Sequence, residues 1–205
     1  MQRWLSPDML VLYLPFLLLL FSAIVMYLWP RSRKAIYWCW GLAILAFIVS
    51  PGLSVLVWHL RHGSHVIMQG KRFRVPYGWT SSPSGTGFEI ERRNLVLLPE
   101  SIVSWSFGWI YIVPNQVRGP IISERVSTWR NVQRRLHREV DAPDWNVVIK
   151  NASGDIICVR TPPRSLDNFA MASCLYVEDG WTAEYMGRPS DMKTFFEILR
   201  TSDSP

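Results

Sequence analysis

The chain has 205 residues, 49% of them hydrophobic, and a formal net charge of +6. That length leaves room for one ordinary domain beside any membrane segment. The excess charge is not a nucleic-acid signal. Arg3, Arg31, Arg33, Lys34 and Arg61 stand against Asp8 alone in residues 1–65, while residues 66–205 hold 17 basic and 15 acidic residues, too balanced for a clustered cationic face.

Met9 to Trp29 is 21 residues without a charge, and Ile36 to Trp58 is 23. At 1.5 Å rise per residue the first makes a helix of about 32 Å, enough for a hydrocarbon core of about 30 Å. Its apolar run exceeds a cleavable h-region, and Trp29-Pro30-Arg31 follows it where a small-residue cleavage site would stand, so a retained span is expected. No Asp, Glu, Lys, Arg or His lies within either run, which argues against an ion path or a buried haem ligand there. Cys39 reads as a small apolar group and not as a ligand. Pro51-Gly52 in the second run predicts a kink or local unwinding.

The link Pro30-Arg31-Ser32-Arg33-Lys34 is short enough to force a helical hairpin, and its three positive charges belong in the cytoplasm. Both termini then lie outside. Arg61, Lys71, Arg72 and Arg74 oppose that placement, but they are spread out and mostly within the following domain. The chain holds 11 Trp; Trp4, Trp29, Trp38, Trp40 and Trp58 flank the runs, where an apolar ring with a polar N–H suits the headgroup level. Trp4, Trp29, Arg31, Arg33, Lys34, Trp38 and Trp58 are the expected membrane-interface residues. His59, His62 and His65 are spaced by three where the second run ends, and could share a metal. With no Asp, Glu or Cys within six residues of them, ordinary interfacial histidines are the preferred reading.

From Val66 the pattern changes to short alternating runs. Val66–Gln69 and Arg72–Val75 read as strands, the second with Phe73 and Val75 on one face and Arg72 and Arg74 on the other. Thr80 to Gly87 reads as a flexible loop without P-loop context. Phe88–Glu91, Leu95–Leu98 and Ile102–Val113 follow as strands, with a bulge or bend at Gly108. Ser123 to Val140 reads as a helix capped by Ser123, with an apolar stripe of Val126, Trp129, Val132 or Gln133, Leu136 and Val140. Arg125, Arg130, Arg134, Arg135 and Arg138 line the rest, a lipid or partner surface if not simply a solvated face. Trp145–Lys150 with Asp155–Arg160, and Ala170–Val177 with Trp181–Met186, read as hairpins. Asn151-Ala152-Ser153 matches a glycosylation acceptor, a triplet frequent by chance. Ser190 caps a final helix with Met192, Phe195, Phe196 and Leu199 on one face. Cys158 and Cys174 each lie in a strand. They form a disulfide if the domain is extracytoplasmic and the strands are neighbours; otherwise they are two small buried apolar residues.

The expected fold is a membrane α-helical hairpin of two transmembrane helices in residues 1–62, with spans about 9–29 and 36–58. An α+β domain over 66–202 follows, with an antiparallel sheet and two helices. Gly70-Lys71-Arg72-Phe73-Arg74-Val75-Pro76-Tyr77-Gly78-Trp79 is similar to the "strand, Pro, Gly-Trp" start of PsbP-like domains. Trp181 to Thr201, two strands and then a helix with paired aromatic and aliphatic residues, resembles their ending. The resemblance covers the two ends of the domain. It implies an α/β/α-type sandwich that binds partner proteins as an accessory or assembly module, and transfers no functional residue.

No catalytic set and no cofactor motif emerges. The expected role is a non-catalytic, membrane-anchored accessory subunit or assembly factor of a larger complex of respiratory, photosynthetic or secretion type. Its partners would be membrane lipid and other membrane-protein subunits, not nucleic acid. The expected setting is the bacterial inner membrane with the C-terminal domain periplasmic. The alternative is an envelope enzyme or ligand-binding sensor, with Arg160, Arg164 or His137 lining a site.

Overall fold

The structure is a computed structural model that describes residues 7–28, 33–93, 108–114, 116–117, 119, 121–136, 143–161 and 169–202. The described residues fall into two compact units, one built on residues 7–63 and the other on 64–92 with 108–202.

The first unit is two helices, α1 (Pro7–Leu28) and α2 (Arg33–His62), which pack along each other. Trp40–His62 within α2 is 23 residues and contains an 18-residue stretch with a mean hydropathy of 2.1, long and apolar enough to cross a membrane. The corresponding described stretch of α1, Phe16–Tyr27, is shorter. Pro51 does not unwind α2, which runs unbroken through it. Proline removes the N–H that would bond to the Phe47 carbonyl. The Ser50 hydroxyl donates to that same carbonyl at 3.4 Å, and Ser54 donates to the Pro51 carbonyl at 2.8 Å.

The second unit has nine strands and two helices among the described residues. A ribbon of β1 (His65–Met68) and β2 (Lys71–Arg74) precedes a seven-stranded sheet of β3 (Trp79–Ser84), β4 (Gly87–Arg92), β5 (Trp109–Val113), β6 (Asp144–Asn151), β7 (Gly154–Thr161), β8 (Ala170–Tyr176) and β9 (Thr182–Gly187). Every pairing is antiparallel, in the order β3-β4-β5-β9-β8-β7-β6. The helices are α3 (Ile122–Leu136) and α4 (Met192–Arg200). The expected α+β layout with an antiparallel sheet is present.

Cross-strand partners share a face. The register therefore puts Phe88, Ile112, Ala183, Cys174 and Cys158 in one row across five strands. That face is covered by α4, whose Phe195 stacks on Tyr185 with ring centroids 5.4 Å apart, and by the ribbon, whose Phe73 meets Phe88 and Trp181 at 5.0 and 5.8 Å. Cys158 and Cys174 are direct partners on β7 and β8, and they form a disulfide inside this core. The opposite face carries α3, where Trp129 packs with Val159 and Leu175.

Several boundaries differ from the sequence reading. Thr80 to Ser84 is strand and not loop. Its small polar residues sit on an edge strand, where Pro83 can be tolerated because the outer side needs no ladder donor. Gly108 marks no bulge; the Trp79 ring lies so close that a β-carbon there would stand 2.4 Å from it. Helix α3 begins at Ile122, ahead of Ser123, and its first-turn amides of Glu124 and Arg125 donate to the Ile121 carbonyl. Ser190 does not cap the last helix. A 3-10 turn, Pro189–Asp191, leads into it, and the Asp191 carboxylate pairs with Arg92. Leu95–Leu98, Ile102–Phe107 and Val140 lie outside the described residues.

The C-terminus of α4 is held by a side chain from the β6–β7 turn. The Asn151 amide donates to the carbonyls of Leu199 at 2.6 Å and Ser202 at 2.9 Å, and its oxygen accepts from the Ser153 amide at 2.7 Å. A terminal turn of a helix has carbonyls without intrahelical donors, and Asn151 supplies one. The same bonds occupy the nitrogen that glycosylation would need. Asn151→Ala is expected to cost about 2 kcal/mol by orphaning these carbonyls, read as a fall in Tm of about 8 °C for the domain.

Candidate functional site

On α1 and α2 the large apolar side chains point outward. Phe16, Leu17, Leu20 and Phe21 on α1 and Leu42, Ile44, Leu45 and Leu60 on α2 are all exposed, at 53% or more of their surface. Over residues 16–50 what is buried instead is small, Ser22, Ala43 and Ser50, whereas toward the end of α2 Val55 and Trp58 are buried beside Ser54. Ser22 donates to the Leu19 carbonyl at 2.7 Å, so its hydroxyl is satisfied within its own helix. Only 28% of the most apolar 18-residue stretch of Trp40–His62 is buried, where a core helix of a water-soluble protein is mostly buried. Small residues inside and large apolar residues outside is the packing expected where the surroundings are as apolar as leucine.

The expected interface residues divide. Lys34 and Trp38 are exposed, Trp38 at 74%. Trp4, Trp29 and Arg31 lie outside the described residues, and Arg33 is described only as the first residue of α2. Trp58 departs from the expectation: it is buried at 2%. Its ring stacks on His62 at 4.7 Å and meets His59 edge-on at 5.0 Å, and His62 Nδ1 donates to the Trp58 carbonyl at 2.9 Å. The i, i+4 spacing brings the indole and imidazole together. Among the described residues no three His, Cys, Asp or Glu side chains are placed to hold a metal, so His59, His62 and His65 are not gathered into a ligand set.

The basic helix α3 is also divided. Arg125 donates to the Glu178 carbonyl at 2.6 Å and braces the β8–β9 turn. Arg130, Arg134 and Arg135 are exposed; Arg138 lies outside the described residues. The buried side of α3 is Trp129 with Gln133, while Val132 and Leu136 are exposed. Arg160 pairs with Asp144 at 3.2 Å at the sheet surface; Arg164 and His137 lie outside the described residues.

Two constellations were not picked out as sites in the sequence. Lys71, the first residue of β2, is buried. It forms an ion pair with Asp179 of the β8–β9 turn, and its Nζ stands 4.5 Å from the Tyr176 ring centroid and 5.6 Å from that of Trp181. The signal was in the strand's alternation: if Phe73 points inward, so does Lys71. Tyr176 is held far above its usual range by burial, which outweighs its bond to the Ser202 hydroxyl at 3.0 Å.

The second lies on the α3 face. Glu184 of β9 stands directly across from Tyr111 of β5 and Ser173 of β8. Burial holds its carboxyl above the usual carboxylate range, and the buried Ser173 hydroxyl has no hydrogen-bond partner among the described residues. Tyr111 stacks on Trp109 at 5.6 Å, and Met171 and Met186 flank the pair, exposed. A raised carboxyl binds its proton more tightly in the folded than in the unfolded chain. Glu184 therefore favours folding most below the unfolded pKa, and that advantage is lost as pH rises through the folded pKa. Glu184→Gln is expected to raise Tm at pH 7 and leave it nearly unchanged near pH 4, measured on the full chain in detergent.

No protein-family model matches the sequence, and no characterised protein matches it.

Proposed function

We propose that the chain is a membrane-anchored, non-catalytic accessory subunit or assembly factor of a larger membrane protein complex. Its α1–α2 pair forms a transmembrane hairpin, and its α+β domain docks on partner subunits outside the cytoplasm. The single observation that carries the reading is the inverted packing of the helices over residues 16–50, with leucine and phenylalanine outside and serine and alanine within. In water that surface would be a large apolar patch; in lipid, or against other spans, it is an ordinary one. Uniformly apolar helices suit lateral packing against partner helices, and the domain attached to them has a full core of its own.

Orientation follows from two supports. Arg31, Arg33 and Lys34 in the link favour the cytoplasm. On the other side Lys71 is removed from the opposing charges, because it is buried with Asp179. The disulfide between Cys158 and Cys174 suits an oxidising compartment. In a bacterium these favour a hairpin in the inner membrane with the domain in the periplasm. The PsbP-like resemblance implies the same kind of partner-binding module; helices on both faces of one antiparallel sheet fit its α/β/α-type sandwich.

Extraction in a mild detergent followed by native electrophoresis tests the role. The expected result is migration in an assembly well above the 23.8 kDa of the chain and its detergent, with named membrane subunits in the same band. Migration as a free monomer only would contradict it. A second reading, an envelope sensor or enzyme, is favoured by Glu184 and Ser173: a desolvated carboxyl beside an unpartnered hydroxyl is an arrangement that a polar ligand would satisfy. A ligand that raises Tm in the parent and not in Glu184→Gln would support that reading.

A further inference from the structure

The ribbon β1–β2 separates its charges by face. The alternation sends Lys71 and Phe73 inward, to Asp179 and to the aromatic core, and turns Arg72 and Arg74 outward. Register then puts Ile67 directly opposite Arg72 and His65 directly opposite Arg74. The outer face is thus two arginines, one histidine and an isoleucine exposed at 63%, with Tyr77, exposed at 63%, three residues beyond β2. Arg72 and Arg74 form no ion pair among the described residues. The inward pair holds the ribbon on the domain core, so the outward arginines are presented from a supported surface. Gln69 and Gly70, both at positive φ, close the ribbon in two residues.

Only Gly63 and Ser64 separate the end of α2 from the start of β1. Three residue steps span about 10 Å at most, comparable to a Debye length at physiological ionic strength, about 8 Å. If α2 ends at the membrane surface, His65 begins within reach of the headgroups. We infer that the outer face of the ribbon, Arg72 and Arg74 with Ile67, docks on anionic lipid headgroups beside the point where α2 leaves the bilayer. This inference rests on the membrane reading of α2. The occupant follows from charge and tether together: the face is cationic with an apolar component, and the covalent link holds it beside a surface rich in phosphate. Guanidinium groups pair with phosphate oxygens in a forked geometry, and Ile67 and Tyr77 offer the apolar and amphipathic groups that settle at the interface.

The test uses the full chain with Cys39→Ala and Ile67→Cys, labelled at residue 67 with bimane and reconstituted in vesicles that contain headgroup-spin-labelled lipid. Each arginine is expected to contribute about fivefold to the docked-to-undocked ratio in anionic vesicles. Quenching should therefore be stronger in phosphatidylglycerol-containing vesicles than in pure phosphatidylcholine, and should fall with added salt. Arg72→Gln with Arg74→Gln should lower the docked ratio about 25-fold without releasing the chain from the vesicles. Equal quenching in the two lipids, unchanged by the double variant, would overturn the inference. So would a double variant that leaves quenching intact but dissolves the native complex, which would assign the face to an acidic partner protein. Release of the parent chain from vesicles by alkaline carbonate would refute the membrane reading itself, and is distinguishable from both.

Discussion

Replacement of Leu45 by arginine is expected to remove most of the chain from the membrane fraction, while Leu45→Ala leaves it there. Leu45 is exposed at 58%, midway along α2. At the centre of a lipid-facing helix an arginine in place of leucine costs about 3 kcal/mol or more in insertion, over about a hundredfold. On a helix facing water the same change would be harmless and would improve solubility, because it replaces an exposed apolar side chain by a charged one. The two environments therefore predict opposite outcomes, read by fractionation of cells expressing the variant.

The second large effect belongs to the disulfide. Cys158 and Cys174 close a loop of 16 residues between adjacent strands of the core face. Such a crosslink restricts the unfolded chain by about 3 kcal/mol. The double variant Cys158→Ala with Cys174→Ala is expected to lower Tm by about 12 °C, measured on the full chain in detergent without reductant. The disulfide leaves neither residue as a thiol, so a thiol reagent should label Cys158 and Cys174 only after unfolding in the presence of reductant. An unchanged Tm would mean that the pair is not closed in the protein as made, and would remove one of the two supports for an extracytoplasmic domain.

Much of the domain was legible because its local signals agree with its packing. Alternation in Lys71 to Val75 gives the ribbon its two faces, Asp179-Gly180 supplies the positive φ of the β8–β9 turn, and the spacing of Met192, Phe195 and Leu199 gives α4 its buried side. Where the reading failed, tertiary context decided. Thr80 to Ser84 has loop composition, yet it gains a ladder from β4, and an edge strand needs little more. Val132 and Gln133 were equal candidates by spacing; the structure buries Gln133 beside Trp129 on α3 and leaves Val132 exposed. Gly108 needs no special backbone angle; it is small because Trp79 occupies the space of its side chain.

The helices hid a different signal. Their apolar runs were plain, but composition does not single out Ser22, Ala43 and Ser50 as the small residues buried over residues 16–50. A serine in such a run is hard to place from composition, since its hydroxyl can close on its own helix, as that of Ser22 does on Leu19. The candidate sites were legible only in part. Lys71 and Asp179 are 108 residues apart in the chain, and only the fold makes them a pair. Glu184 and Ser173 gain their character from strand register, which a single sequence does not fix.

Washing membranes from cells that express the chain with alkaline carbonate, and then sedimenting them, addresses the bilayer residence of α1 and α2 directly. The inverted packing of those helices predicts that the full chain stays in the pellet and comes off only with detergent. Its recovery in the supernatant, folded and free of lipid, would contradict the anchor and everything inferred from it.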